Sequence, residues 1–110
     1  VDGSADPMKG ITILKEIEKS DSANIQVQMV LGGFAIKSGQ LDKAEARYLK
    51  VLKLKPEYLE AYLFLADVYE KKGEKNKTIE TLEKYLSLTP DKEIKEEIKK
   101  YIEQLKKTSV

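Results

Sequence analysis

Residues 25–56 read IQVQMVLGGFAIKSGQLDKAEARYLKVLKLKP, and residues 59–90 read LEAYLFLADVYEKKGEKNKTIETLEKYLSLTP. When the second stretch is laid over the first with a shift of 34 residues, the same residue recurs at Leu31/Leu65, Lys37/Lys71, Gly39/Gly73, Lys43/Lys77, Lys50/Lys84, Leu52/Leu86, Leu54/Leu88 and Pro56/Pro90. A fixed period of roughly 20–50 residues is typical of stacked-repeat proteins, in which each unit buries its apolar face against a neighbour. The sequence therefore predicts a chain organised around two copies of one unit.

Each unit has the pattern of two short helices joined by a tight turn. The spacing of apolar residues predicts helices over residues 24–37, Leu41–Leu54, Leu59–Lys72 and Lys75–Leu88. Gly39 and Gly73 fall between the helices of each pair, at places suited to the left-handed position that ends a helix. Pro56 and Pro90 close the units, because proline does not continue a helix. Antiparallel helix pairs of this kind stack, so we expect an all-α superhelix of about six helices.

The flanks of the repeats are predicted to complete one domain over residues 7–107. Asp6 followed by Pro7 is a helix start, so a first helix is expected within residues 7–20, in phase with the second helix of a unit. Asp91 is expected to cap a last helix over residues 91–106, whose single apolar stripe suits a terminal cap. Residues 1–6 and 107–110 are expected to be a disordered tail and a frayed end.

Composition excludes several classes of function. The 110 residues carry a net charge of +1, with 41% apolar and 35% charged residues, so no global field is available to hold nucleic acid or an anionic membrane. The absence of Cys and His removes the usual zinc ligands and the commonest general base. No apolar run approaches the roughly 18–20 residues that span a bilayer. We therefore expect no enzyme activity, cofactor, metal, nucleic-acid partner or direct membrane insertion.

The slot pattern of the two units resembles the tetratricopeptide repeat family. A large residue followed by a small one occurs in each first helix, as Leu31-Gly32 and Leu65-Ala66, and small then bulky residues follow in the second helix, as Ala44 then Tyr48 and Thr78 then Leu82. The family often adds aromatic residues one turn before and after the small residue. Tyr62 and Tyr69 fill those places in the second unit, whereas Gln28 and Ala35 occupy them in the first.

The resemblance implies a right-handed solenoid whose first helices line a concave groove for a peptide or a partner helix. The side chains that should point into this groove are Gln26, Met29, Gly33, Ile36, Lys37, Glu60, Leu63, Asp67, Glu70 and Lys71. Met29 and Leu63 have no expected core position, and methionine suits an adaptable binding surface. Family members that clamp a C-terminal carboxylate use Lys, Asn and Arg at places where this chain has Met29, Gly33, Phe64, Ile94 and Ile98, so that subtype is not expected.

Three alternatives stay open from the sequence. The first helix or chain upstream of Val1 could cover Met29 and Leu63, which would leave no apolar groove. The exposed edge helix or the groove could instead pair with a second copy, which would make the chain a homo-oligomerisation module. The chain could also be the soluble appendage of a larger multidomain or membrane-anchored protein, as in bacterial repeat proteins that carry one N-terminal membrane helix. The partner, pathway and compartment are not predicted.

Overall fold

The computed structural model describes Lys15 and residues 24–108. Within residues 24–108 the chain forms helices α1 (Ile25–Lys37), α2 (Leu41–Leu54), α3 (Leu59–Lys71), α4 (Lys75–Leu88) and α5 (Lys92–Lys107), and no strand. Each helix begins and ends within one residue of the predicted bounds. The predicted helix within residues 7–20 lies outside the described residues except for Lys15, as does the predicted tail 1–6. The division of the whole chain into units and tails stays a prediction.

The turn inside each helix pair is closed by a left-handed glycine. Gly39 has φ +78° and Gly73 has φ +77°, a conformation that glycine adopts without the steric cost that Cβ imposes on other residues. After α1 the Gln40 amide donates to the Ala35 carbonyl at 2.8 Å, and the Gly39 amide donates to Ile36 at 3.0 Å. This pair of bonds is the Schellman arrangement, which satisfies carbonyls left free at a helix end. The predicted role of both glycines is confirmed.

Side-chain caps begin the first and last described helices. Asn24 accepts a hydrogen bond from the Val27 amide at 3.0 Å at the start of α1. Asp91 accepts from the amides of Glu93 and Ile94 at 3.0 and 3.2 Å, as its predicted capping role requires. An N-cap of this type stabilises a helix by about 1 kcal/mol because it satisfies otherwise unpaired amides.

The helices stack in chain order as two antiparallel pairs and a closing helix. α1 packs against α2 and α3 against α4, while α2 joins the two pairs through its contact with α3. α5 packs against α4, and α1 also touches α3 directly. The first helices of the two units therefore lie side by side and present a shared surface.

Two apolar clusters hold the stack together. The first, hereafter the inter-unit core, joins both units and consists of Ala35, Ala44, Tyr48, Leu65, Val68 and Tyr69, with Met29, Ile36, Leu41 and Leu52 packed against it. The second consists of Ala66, Ile79, Leu82 and Ile102, with Leu86, Ile98, Tyr101 and Leu105 around it. The second cluster shows how the apolar stripe of α5 closes the end of the stack, as expected for a terminal cap.

Tyr48 is tightly packed in the inter-unit core. Its side chain is fully buried, and a Cβ atom placed on Gly32 would lie only 2.7 Å from its Cζ atom. On α3 the Phe64 ring stacks on Tyr48, with 5.6 Å between ring centroids and 14° between ring planes. The group that requires glycine at position 32 is therefore the Tyr48 ring.

A cluster of charges ties the end of α3 to both second helices. The Lys72 ammonium lies 2.7 Å from Asp42 Oδ1 and 2.8 Å from Glu45 Oε1 on α2, and 3.3 Å from Glu74 Oε1. The Tyr69 hydroxyl donates to Glu45 Oε2 at 2.9 Å. The hydrogen bond and charge of Lys72 lower the pKa of Asp42. The network therefore favours ionised carboxylates in the folded state.

Loss of this network is expected to make the free energy of unfolding less dependent on pH in the acidic range. The pKa of Glu74 is lowered as well, first by its hydrogen bond with Lys77 and further by Lys72. Carboxyl groups with a lowered folded-state pKa contribute stability above their ordinary values, here 3.8 for Asp42 and 4.5 for Glu74, and lose it as the pH falls further. We expect Lys72→Met to be less stable than the wild type at pH 7, and the gap to shrink from about pH 5 to pH 3.

Urea denaturation at pH 7, 5, 4 and 3 measures this gap. Lys100→Met, which removes an exposed lysine from α5, is the matched control and should show no gap that depends on pH in this range. A Lys72→Met gap of the same size at pH 3 and pH 7 would contradict the account.

Candidate functional site

The candidate site is the shared surface of α1 and α3. Because a helix turns once every 3.6 residues, residues 26, 29, 33, 36 and 37 lie along one side of α1. Residues 60, 63, 67, 70 and 71 occupy the equivalent side of α3, 34 positions later. α1 and α3 are in direct contact. We call this surface the groove.

Of the ten predicted groove residues, six are exposed and four are half-buried. The exposed ones are Gln26, Lys37, Glu60, Leu63, Glu70 and Lys71, and the half-buried ones are Met29, Gly33, Ile36 and Asp67. Met29 and Ile36 both pack against the inter-unit core. The expectation that Met29 has no core contact is therefore wrong, because one side of this flexible side chain reaches the core. Leu63, 38% exposed, is not among the residues packed against either cluster.

Sequence reasoning missed two exposed apolar side chains beside the predicted ones. Val30 is 43% exposed on α1 and Phe64 is 42% exposed on α3, although the Phe64 ring also stacks on Tyr48. Val30 and Phe64 are 34 positions apart. Val30 directly follows the predicted Met29, and Phe64 directly follows the predicted Leu63. The repeat period was thus the signal that could have found them. We refer to the three exposed apolar residues Val30, Leu63 and Phe64 together as the apolar strip.

The open space at Gly33 adds to the shape of the groove. A Cβ atom placed on Gly33 would meet no atom of the described residues within 4 Å, in contrast to the crowded neighbour Gly32. A glycine inside a helix costs about 1 kcal/mol relative to alanine. Packing among the described residues therefore does not require glycine at position 33.

An ion pair and hydrogen bonds constrain several polar side chains at the rim of the groove, namely Gln26, Asp67, Glu70 and Lys71. On α3 the Lys71 ammonium lies 2.9 Å from Asp67 Oδ1, and the Tyr101 hydroxyl of α5 donates to Glu70. Burial raises the pKa of Tyr101 to about 12, and the hydrogen bond to Glu70 contributes to the shift. On α1 the Gln26 amide donates to the Tyr58 hydroxyl at 3.2 Å. These bonds hold rim side chains in place around the apolar strip.

The described residues of the groove contain no converging set of metal ligands. Over Lys15 and residues 24–108, no group of three or more Asp and Glu side chains converges in a way that could hold a metal ion. In the same part of the chain, every helix is too short or too polar to cross a bilayer. What the site can do is bury apolar surface of a partner and pair charges at the rim.

The two antiparallel helix pairs, the 34-residue period and the left-handed glycine at each turn define a helical-repeat protein of the tetratricopeptide class. The family model described as "Regulator of microtubule dynamics protein 1-3" matches residues 16–109. The chain belongs to this family. No curated protein matches the chain.

Solved structures of tetratricopeptide proteins share the fold at low sequence identity. The type III secretion translocator chaperone SycD of Yersinia enterocolitica is 17% identical, with a TM-score of 0.80 over 90% of this chain and 71% of SycD. YrrB, a tetratricopeptide protein, is 21% identical, with a TM-score of 0.75 over 86% of this chain and 48% of YrrB. MamA is 25% identical, with a TM-score of 0.73 over 90% of this chain and 66% of MamA. The all-α superhelical fold is thus confirmed by these similarities.

Proposed function

We propose that the chain is a protein–protein interaction scaffold that binds a peptide or a partner helix in the groove formed by α1 and α3. The observation that carries the proposal is the apolar strip. Fully burying a Leu or Phe side chain is worth about 1.5–3 kcal/mol. Covering the exposed part of Leu63 and Phe64 would therefore contribute on the order of 1 kcal/mol each. Contiguous exposed apolar surface ringed by polar side chains is a common mark of an interaction site.

The solved structures support a peptide as the partner. SycD has been solved in complex with a peptide of the translocator YopD, and YrrB is described as having an unusual peptide-binding site. The description of the family names regulators of microtubule dynamics. Peptides from proteins that act on microtubules are accordingly the first ones to screen, alongside an unbiased peptide library.

Substitution of the apolar strip is expected to abolish partner binding without unfolding the chain. Val30→Lys/Leu63→Lys places two charges on the exposed surface of α1 and α3, and lysine is a good helix former. For a peptide selected on the wild type, we expect affinity to fall at least about tenfold, which corresponds to about 1.4 kcal/mol. Fluorescence anisotropy with the labelled peptide gives the affinities, and circular dichroism checks that helicity is kept.

A matched control uses exposed leucines of the second helix. Leu49 and Leu54 lie on α2 and are 45% and 46% exposed, so Leu49→Lys/Leu54→Lys makes the same change of charge away from the groove. The control should bind the peptide with wild-type affinity. If every selected peptide bound the Val30→Lys/Leu63→Lys variant as tightly as the wild type, the groove would not be the binding site.

Self-association is separated from partner binding by light scattering over a wide range of concentration. A monomer at all concentrations agrees with a groove that is free for another protein. A mass that rises with concentration in the wild type, but not in Val30→Lys/Leu63→Lys, would assign the groove to a second copy of this chain.

A further inference from the structure

Each helix of the groove carries a stripe of four residues along one side. Residues spaced i, i+4, i+7 and i+11 lie on the same side of a helix, because it turns once every 3.6 residues. The stripe of α1 is Gln26, Val30, Gly33 and Lys37, and the stripe of α3, 34 positions later, is Glu60, Phe64, Asp67 and Lys71. Both stripes therefore end with a lysine in the last turn of the helix.

The two stripes leave one charge of each sign without a partner in the part of the chain that the structure describes. Lys37 and Glu60 are both exposed, and neither side chain makes an ion pair or a hydrogen bond with the described residues. The other two charges of the stripes, Asp67 and Lys71, bind each other at 2.9 Å. Lys37 lies at the end of α1, whereas Glu60 lies at the start of α3. A partner that pairs with both needs an anion at one end and a cation at the other.

A second copy of the chain carries these two charges in the required order. If α1 of one copy lies antiparallel on α3 of another, the end of α1 meets the start of α3, and Lys37 faces Glu60. A two-fold axis makes the same pair at the opposite end, since each copy presents both residues. The net charge of only +1 lets two copies approach without strong repulsion. The charges of the groove are therefore complementary to the groove itself.

The same register places the open position of α1 opposite an exposed ring of α3. Gly33 lies four residues before Lys37, which is about 6 Å along α1 at 1.5 Å per residue. Phe64 follows Glu60 by the same number of residues, so the antiparallel arrangement brings Gly33 opposite Phe64 of the second copy. Phe64 is 42% exposed although it stacks on Tyr48. A Cβ atom on Gly33 would meet no described atom within 4 Å, so this side of α1 has room for the ring.

We propose that the groove forms a symmetric homodimer, in which α1 of each copy lies antiparallel on α3 of the other. The Phe64 ring enters the space at Gly33, and Lys37 pairs with Glu60. Exposed ion pairs contribute little affinity and mainly fix the register, so burial of the rings supplies most of the attraction.

The size of this face determines how tight the dimer is. Two helices of 13 residues each form a face about 20 Å long and about 20 Å wide. This area is smaller than the roughly 800 Å² per partner that is usual for stable complexes. We therefore expect a dimer that dissociates on dilution and that a peptide bound in the groove displaces.

Charge reversal tests the pairing. Lys37→Glu and Glu60→Lys should each weaken association at least about tenfold, or about 1.4 kcal/mol, because like charges then face each other at both ends of the dimer. An equimolar mixture of the two variants should dimerise about as tightly as the wild type, since both pairs are again of opposite charge. Sedimentation equilibrium up to about 1 mM protein gives the mass. The controls Lys53→Glu and Glu80→Lys change exposed residues of α2 and α4 and should each dimerise like the wild type.

A second variant tests the contact at Gly33. Gly33→Leu fills the space that the Phe64 ring of the second copy would enter, and no described atom of its own chain lies close enough to clash with the first atom of the new side chain. We expect circular dichroism and the melting temperature to show a folded chain, because leucine favours a helix more than glycine does. The mass of Gly33→Leu should remain that of one chain up to about 1 mM.

Three outcomes would overturn the dimer: a wild type that stays monomeric up to about 1 mM, a Gly33→Leu variant that dimerises like the wild type, and a mixture of Lys37→Glu and Glu60→Lys that stays monomeric. The dimer rests on the proposed function, because it names a partner for the same groove. The two fail separately. A monomeric wild type whose selected peptide loses affinity in Val30→Lys/Leu63→Lys would overturn the dimer and leave the groove to another protein.

Discussion

Replacement of Tyr48 by Ala is expected to lower the free energy of unfolding by about 3–5 kcal/mol, the range for deletion of a buried aromatic side chain. Tyr48 is fully buried in the inter-unit core, which joins both units. The substitution also removes the stacking with Phe64, and aromatic pairs contribute about 0.5–1.5 kcal/mol beyond the area they bury. Because domains are stable by about 5–15 kcal/mol in total, Tyr48→Ala should remain folded only marginally.

Tyr48→Phe is the control that separates the ring from its hydroxyl. The Tyr48 hydroxyl is buried without a hydrogen-bond partner in the part of the chain that the structure describes. An unsatisfied buried polar group costs about 1–3 kcal/mol, so Tyr48→Phe should be at least as stable as the wild type. A Tyr48→Phe variant as unstable as Tyr48→Ala in urea denaturation would show that the hydroxyl, and not the packing of the ring, holds the core.

Urea denaturation of the wild type and of Tyr48→Phe at alkaline pH gives a second test of the buried hydroxyl. Burial, and to a lesser extent the charge of Asp67, raise the pKa of Tyr48 to about 12 from its ordinary value of 10.0. A tyrosine with a raised folded-state pKa favours folding below pH 10 and loses that contribution as the pH rises from 10 to 12, because the unfolded chain ionises first. Stability should therefore fall less steeply above pH 10 in Tyr48→Phe than in the wild type.

Gly32→Ala and Gly33→Ala are expected to change stability in opposite directions, although the two glycines are adjacent. Alanine at position 32 would place Cβ 2.7 Å from the ring of Tyr48, which is buried and cannot move freely. Overpacking of this kind costs about 1–3 kcal/mol. It outweighs the gain of about 1 kcal/mol in helix propensity. At Gly33 no atom of the described residues lies within 4 Å, so only the gain is expected.

Urea denaturation of the two single variants should show a difference of about 2 kcal/mol between them. A double-mutant cycle identifies the cause: in the Tyr48→Ala background the clash is absent, so Gly32→Ala should no longer destabilise the chain. Equal effects of Gly32→Ala and Gly33→Ala would contradict the close contact between α1 and the Tyr48 ring.

The helices and turns could be predicted from the sequence because their signals are local. Gly39, Gly73, Pro56 and Asp91 each act on the backbone within a few residues, and all mark a helix end or start as expected. The 34-residue period then gave the class of fold, since equal units must pack in equivalent ways.

The groove was harder to predict, because exposure depends on which neighbour a side chain reaches across the stack. Met29 was expected to be free of the core, but it packs against the inter-unit core. Phe64 stacks on the buried Tyr48 ring, yet about two-fifths of its surface stays exposed. Periodicity alone does not reveal that one side chain both packs against the core and remains exposed.

The affinity of a peptide selected on the wild type, measured against Val30→Lys/Leu63→Lys and Leu49→Lys/Leu54→Lys, tests most directly whether the groove binds a partner. We predict a loss of at least about tenfold for the first variant and wild-type affinity for the second. Equal affinity of both variants and the wild type would contradict a binding site on α1 and α3.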